Sequence, residues 1–197
     1  PLAAYSVEGG HAKLCPNMKK MCFDDPALAH ALLDKYTEAL CVYASYQIES
    51  GAQVLQIFES WAHHLGEEQW QTFAKPYANR IALYLKEKHP DVPVSYFANG
   101  GSVYLDAQND MSVDGLAIDW KIDMASARKV VGEDRVLIGN VDPMSLYGPE
   151  ENIRRQVRSC IGKAGRRHVL NLGHGVEKDI PEENVGMFVD ECKKSFY

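Results

Sequence analysis

The sequence predicts an α/β fold with a parallel sheet, on three observations. Short apolar runs alternate along the whole chain with longer amphipathic segments, which is the pattern of successive βαβ units. The short runs are continuously apolar rather than alternating, as expected of strands covered on both faces. Each run is also followed at once by a residue capable of chemistry, often beside glycine. These are Glu59-Ser60 after Phe58, Ala98-Asn99-Gly100-Gly101 after Phe97, Asp119-Trp120 after Ile118, Gly139-Asn140-Val141-Asp142-Pro143 after Ile138, and Gly173-His174-Gly175 after Leu172. In a parallel barrel these strand ends gather on one rim, where such enzymes place their sites. An open doubly wound sheet would use mainly the crevice at its switch point, and the glycine-rich GxGxxG turn of nucleotide binders is absent. The pattern therefore favours a (β/α)8 barrel.

The elements follow in order. Asp25-Pro26 reads as an N-cap with proline at the first helical position. Leu28, Leu32, Tyr36, Leu40 and Tyr43 then recur at helical spacing, and Gly51 fits the stop. Residues 54–58 read as a strand, and one helix is expected from Glu67 to about His89, ended by Pro90. Val94 to Phe97 is the next strand, Ser102 to Asp110 a short helix, and Leu116 to Ile118 a third strand. Asp123 can cap a helix running to Val131, with Gly132 at its end. Val136 to Ile138 is a strand, and Gly148-Pro149 opens a helix carrying Ile153, Val157 and Ile161. Val169 to Leu172 is the last strand, and a final helix near Pro181 shows Val185, Phe188, Val189 and Cys192 on one face.

A complete barrel takes about 250 residues. This chain has 197 and five predicted strands, so about the last five β/α units of an incomplete barrel are expected, as a single domain over residues 1–197. The chain opens on Pro1-Leu2-Ala3-Ala4-Tyr5, which reads as the interior of a protein, so a targeting segment cannot be assessed and cytoplasm and plastid both stay open.

The composition is that of an ordinary globular domain, with 46% apolar and 24% charged residues. A net charge of -6 argues against non-specific nucleic-acid binding, and no stretch has the length of a membrane span. The five cysteines are odd in number and scattered, without CxxC or His-x-Cys spacing. They read as free thiols, with no disulfide framework and no zinc motif.

The segments Tyr5-Ser6-Val7-Glu8-Gly9-Gly10, Gln56-Ile57-Phe58-Glu59-Ser60-Trp61, Gly139-Asn140-Val141-Asp142-Pro143 and Asn171-Leu172-Gly173-His174-Gly175 resemble, in order and spacing, the uroporphyrinogen decarboxylase family. Gly115-Leu116-Ala117-Ile118-Asp119-Trp120 and Glu183-Asn184-Val185 are similar to it as well, so the resemblance covers essentially the whole chain. It implies a cofactor-free, metal-free homodimeric barrel. The implied reaction removes carbon dioxide from the four acetate arms of uroporphyrinogen III, giving coproporphyrinogen III for haem or chlorophyll. It also implies substrate contacts from Tyr5, Ser60 and His174, with Phe58 on the pocket wall and His174 and Tyr5 in the catalytic role. A phenol and a hydroxyl can donate to carboxylates, and an imidazole, titrating near neutrality, can bind one or move a proton. The family's arginine-containing segment and its aspartate facing the pyrrole NH groups have no counterpart here. Pro1 stands where the family usually has threonine. The chain alone is therefore expected to be inactive.

Read without that context, several of these residues have plainer roles. Tyr5 fits a packed aromatic and Ser60 a helix cap, while Gly173 and Gly175 fit a tight turn around His174. Asp119 fits a rim residue bonding backbone amides or a neighbouring lysine, and Asn140 and Asp142 fit loop organisers. His63 and His64 fit a solvated helix start, and Lys86, Glu87, Lys88 and Arg154-Arg155 fit wet helix faces. Two alternatives to the decarboxylase stand beside it: a zinc-dependent cobalamin methyltransferase on the same barrel, and a non-enzymatic dimerisation fragment.

Overall fold

A computed structural model describes residues 1–10 and 13–195. The chain forms two compact units, Pro1–Ala98 with Asp110–Asp114, and Asn99–Asn109 with Gly115–Tyr197.

The first unit opens with α1 (Leu2–Glu8), α2 (Pro16–Asp24) and the long α3 (Pro26–Glu49). Neither α1 nor α2 was expected from periodicity, both being short. The start of α3 is as predicted: the Asp25 carboxylate accepts from the Leu28 N–H at 3.0 Å, with Pro26 in the first turn. Its buried positions are Ala29, Thr37, Cys41 and Ser45 rather than the large apolar stripe, and Leu28 and Tyr43 are exposed. Small residues let α3 approach its neighbours, and polar clasps close the contact. Arg80 pairs with Asp34 at 2.6 Å, His30 meets the Tyr77 hydroxyl at 2.5 Å, and His89 meets Ser45 at 2.9 Å.

β1 (Leu55–Glu59) leads through a 3-10 turn at Ala62–His64 into α4 (Glu67–Phe73) and α5 (Lys75–Lys88), then β2 (Val94–Ala98). The single helix expected from Glu67 to His89 is thus two. The break falls at Ala74, two residues before Pro76, whose ring lacks an N–H and clashes with the carbonyl four residues back. β1 and β2 pair in parallel from Leu55↔Val94 to Glu59↔Ala98. Trp70 of α4 is fully buried and donates its indole N–H to the Tyr96 hydroxyl of β2 at 2.9 Å. Asp114 accepts from the Val94 N–H and from Lys86, each at 2.8 Å, fixing the start of β2.

The second unit carries a 3-10 turn at Gly101–Tyr104, α6 (Leu105–Gln108), β3 (Gly115–Ala117), α7 (Met124–Val131) and β4 (Val136–Val141). A 3-10 turn at Pro143–Tyr147, α8 (Glu150–Ala164), β5 (His168–Leu172) and α9 (Glu182–Ser195) complete it. β3 pairs with β4 and β4 with β5, all in parallel. Asp123 caps α7 through the Ala125 and Ser126 amides, and Gly132 ends it, as predicted. The five successive β/α units are those expected from the sequence. All five cysteines are free; burial raises the Cys160 thiol above its ordinary range, which suits a packing role beside the Gly139 carbonyl at 3.3 Å.

The face expected on α9 is partly wrong. Phe188 is buried, but Val189 is exposed and Glu191 is buried in its place. Glu191 accepts from Arg154 at 2.9 Å and from Arg158, clasping α8 to α9, so Arg154 is not a merely wet residue. The Arg158 guanidinium first, and then Arg154, hold the Glu191 carboxyl below its usual range against the opposing effect of burial. A carboxyl depressed in the folded state stabilises fully above its unfolded value of about 4.3 and loses that contribution as pH falls through the lower folded value. Urea midpoints measured from about pH 6 down to pH 3 are therefore expected to fall less steeply in Glu191→Gln than in wild type. Parallel pH profiles would show that the clasp carries no linked proton.

Candidate functional site

Tyr5 lies on α1 and is 45% exposed, its ring 4.3 Å from that of Trp61 at an angle of 42°. The motif around it has a structural logic. Gly9 takes a left-handed conformation at φ 72° and donates its N–H to the Tyr5 carbonyl at 3.0 Å, ending α1. The Glu8 carboxylate accepts from the Met18 N–H at 2.8 Å and the Asn17 amide at 3.1 Å, satisfying donors at the start of α2. Glu-Gly-Gly thus turns the chain directly behind Tyr5.

Ser60 follows the last residue of β1 and is half-buried, next in sequence to the Trp61 on which Tyr5 packs. Phe58 is 59% exposed and meets Phe97 of β2 edge-on at 6.0 Å. A cavity of about 590 Å³ in this unit is lined in part by Phe58, Trp61 and His64, but Tyr5 and Ser60 are not among its walls. His64 is therefore more enclosed than a solvated helix start, and burial lowers its pKa, with His63 adding to the effect. Among the described residues no group of three or more His, Cys, Asp or Glu is placed to hold a metal.

In the second unit His174 is exposed just past β5, and its ring stands edge-on to Trp120 at 5.8 Å and 84°. Gly173 makes this possible: a Cβ there would collide with the Trp120 backbone nitrogen and lie 2.9 Å from its Cα. The Gly173 N–H is held at 2.8 Å by the Val141 carbonyl. Lys121 covers Trp120 at 5.5 Å from the ring centre. The loop carrying Trp120 is anchored from below. Asn140 donates to the Asp119 carbonyl at 3.0 Å and the Ile122 carbonyl at 2.7 Å, while Asp142 accepts from the Met144 N–H at 2.9 Å. Both are the loop organisers expected.

Asp119 does bond a backbone amide, the Lys121 N–H at 2.8 Å, but at 1% exposure it is a buried residue rather than a rim one. The structure thus sets Tyr5 beside the segment bearing Ser60 in one unit and His174 on an aromatic support in the other. Sequence reasoning missed Trp61 and Trp120 as the supports. Their signal was position, each one residue beyond the polar strand-end residue Ser60 or Asp119.

The profile of the family described as Uroporphyrinogen decarboxylase (URO-D) matches residues 1–195. A curated relative named uroporphyrinogen decarboxylase from Trichodesmium erythraeum (strain IMS101) is 44% identical over 194 residues, covering 98% of this chain and 55% of its own length. Another of that name from Nostoc sp. (strain PCC 7120 / SAG 25.82 / UTEX 2576) is 43% identical, with the same coverage. A chloroplastic one from Zea mays is 42% identical over 193 residues, covering 98% of this chain and 49% of its own. The chain therefore spans about half the length of the curated relatives it matches. A solved methyltransferase from Methanosarcina mazei aligns at a TM-score of 0.80 and 24% identity, over 92% of this chain and 53% of its own, a likeness of fold. No helix among the described residues is long and apolar enough to cross a membrane.

Proposed function

Since this chain belongs to the uroporphyrinogen decarboxylase family, we propose that it is the C-terminal part of such an enzyme, one single-domain barrel acting as a homodimer on uroporphyrinogen III. The reaction needs no metal or coenzyme. Protonation of the pyrrole α-carbon next to the one bearing an acetate arm turns the ring into a cationic electron sink conjugated with that arm. Carbon dioxide leaves from the arm, its bonding electrons form an exocyclic methylene double bond that neutralises the ring cation, the methylene is protonated to a methyl group, and the added α-proton leaves to restore the pyrrole. Four such rounds give coproporphyrinogen III. The protein must hold carboxylates, stabilise a ring cation and deliver protons, so preorganised electrostatics dominates.

The observation that carries this reading is the family match over residues 1–195, with Ser60 and His174 standing just beyond parallel strands and Tyr5 packed on Trp61. Ser60 and Tyr5 donate hydrogen bonds to substrate carboxylates. His174 binds a carboxylate or relays a proton, and Phe58 supplies apolar wall. Carboxylate-binding cations and the group facing the pyrrole NH cluster come from the rest of the parent, so the 197-residue chain alone is inactive. The zinc-dependent methyltransferase reading draws only on the likeness of fold, and stoichiometric tightly bound zinc in the intact protein would favour it.

The test is made in the intact parent. His174→Asn is expected to lower turnover by about 100-fold, in the range for loss of a proton-transfer group. Tyr5→Phe and Ser60→Ala each remove a hydrogen bond to a charged group and are expected to cost about tenfold. Chromatography of the products is expected to show hepta-, hexa- and pentacarboxylate intermediates accumulating. A triple variant with wild-type rates and no intermediates removes all three residues from the site.

A further inference from the structure

In the second unit His168 opens β5, half-buried and opposite Leu137 of β4. Its two ring nitrogens stand in different surroundings. Nε2 lies 2.6 Å from the Gly139 carbonyl, whereas Nδ1 is buried and has no hydrogen-bond partner among the described residues. A carbonyl only accepts, so Nε2 carries the proton of a neutral ring and Nδ1 keeps a bare lone pair.

The groups around the ring hold it neutral. β4 contributes no titratable side chain. α8 contributes Cys160, whose sulfur is 4.0 Å from Nε2 and donates to the same Gly139 carbonyl at 3.3 Å. Burial raises that thiol above its ordinary range, so near neutral pH it offers no thiolate to an imidazolium. Lys163, further along α8, is occupied with Asp123 at 2.5 Å. Arg128 of α7 is bonded to the Arg166 and Arg167 carbonyls, immediately before His168. A second ring proton would thus sit on Nδ1 without an acceptor and near a like charge. Burial lowers the His168 pKa accordingly; the Gly139 hydrogen bond opposes this and Arg128 adds to it. The ring can solvate a second N–H only by turning toward water, and its half-buried place at the head of β5 leaves that route open.

What the ring holds leads to the candidate site. Gly139 runs directly into Asn140, whose N–H donates to the Cys160 sulfur at 3.3 Å. The Asn140 side chain spans the Trp120 loop, donating to the Asp119 and Ile122 carbonyls at 3.0 Å and 2.7 Å. On that loop Trp120 stands edge-on to His174.

We propose that His168 is a proton-sensitive latch: neutral, it clasps Gly139 and Asn140 to β5 and α8, and on taking a proton it turns outward and loosens the Trp120 loop beside His174. The sign follows from linkage. Above the ordinary histidine value of about 6.5 the ring is neutral whether latched or turned to water. As pH falls from there through the lower latched value, the outward ring binds the proton first, so the latched state loses stability. The inference concerns the second unit alone and does not depend on the catalytic reading.

The test is magnetic resonance of the intact parent, isotope-labelled in histidine, asparagine and tryptophan. His174→Asn serves as the background, so that the imidazole beside Trp120 does not contribute. Near neutral pH the His168 proton is expected on Nε2. From about pH 8 to about pH 5 the ring is expected to titrate with a midpoint below about 6.5, the Asn140 side-chain amide and the Trp120 indole shifting with the same midpoint. In His168→Gln, whose amide can donate to the Gly139 carbonyl but does not titrate, both shifts are expected to vanish. Should that variant not fold, the coincidence of midpoints in the protein retaining His168 still decides. A proton on Nδ1, a His168 midpoint at or above the ordinary value, or Asn140 and Trp120 resonances indifferent to its titration each overturns the proposal. So does a transition that persists in His168→Gln, or loss of all folded resonances together.

Discussion

Arg128→Met is expected to cost the second unit about 3–5 kcal/mol, a large share of the stability of an ordinary domain. Arg128 is only 6% exposed, and its guanidinium donates to five backbone carbonyls. These are Ala164 at 2.7 Å, Gly132 at 2.9 Å, Arg135 at 2.7 Å, Arg166 at 2.7 Å and Arg167 at 3.2 Å. One cation thereby closes the C-terminal ends of α7 and α8, where helix dipoles favour positive charge, and holds the turns that feed β4 and β5. Arg167 sits in the left-handed region at φ 54°, a conformation held in place by this contact and by the Leu137 N–H on the same carbonyl at 3.0 Å. Methionine fills the space but donates nothing; the Arg167 carbonyl keeps the Leu137 N–H, and each acceptor left unmet carries a penalty of about 1–3 kcal/mol unless water reaches it. Lysine is a compact point charge without the planar fork, so Arg128→Lys is expected to recover less than half of the loss. Urea unfolding of the three proteins decides the matter; a shift below about 1 kcal/mol for Arg128→Met would mean that the carbonyls are satisfied without the guanidinium.

Arg128 also shows where sequence reasoning stops. In Ala127-Arg128-Lys129-Val130 it looks like any basic residue in a last helical turn, because its five acceptors lie between four and thirty-nine residues away. What was legible was local. Asp25 and Asp123 cap helices because a short carboxylate meets free amides within three residues, and the apolar runs mark four of the strands within a residue of their ends, whereas β4 runs on three residues past the predicted Ile138 through Gly139-Asn140-Val141. The break at Ala74 was also written locally, in Pro76, but was masked by the strong apolar periodicity on either side. Periodicity reports that a stripe is apolar without saying what covers it. Hence the helical spacing of the large residues of α3 does not say that part of that stripe lines a cavity, and Glu191 was passed over for Val189, since its two arginine partners lie on another helix. At the candidate site Tyr5, Ser60 and His174 were legible through their motifs rather than through their own chemistry. Position marked the aromatic supports Trp61 and Trp120, but which ring each one meets depends on tertiary placement.

Gly173→Ala is expected to destabilise the second unit by about 2–3 kcal/mol, while Gly175→Ala changes it by less than about 0.5 kcal/mol. The sequence suggested that both glycines serve a tight turn around His174, but neither has a positive φ. Gly173 is required for a different reason, the approach of the Trp120 backbone, which leaves no room for a methyl group. Nothing flexible can yield. The Trp120 chain is tied down through Asn140, and Gly173 itself through the Val141 carbonyl. Around Gly175 no atom lies within 4 Å, so alanine enters open space. The methyl at 173 must push the Trp120 loop away and take the edge-on indole from His174, a contact worth about 0.5–1.5 kcal/mol. The ring-proton resonances of His174, displaced by the indole current in wild type, are expected to move toward random-coil positions in Gly173→Ala and to stay in place in Gly175→Ala. Equal effects of the two substitutions on both stability and resonance would mean that it is the turn, and not the contact with Trp120, that demands glycine and orients the imidazole.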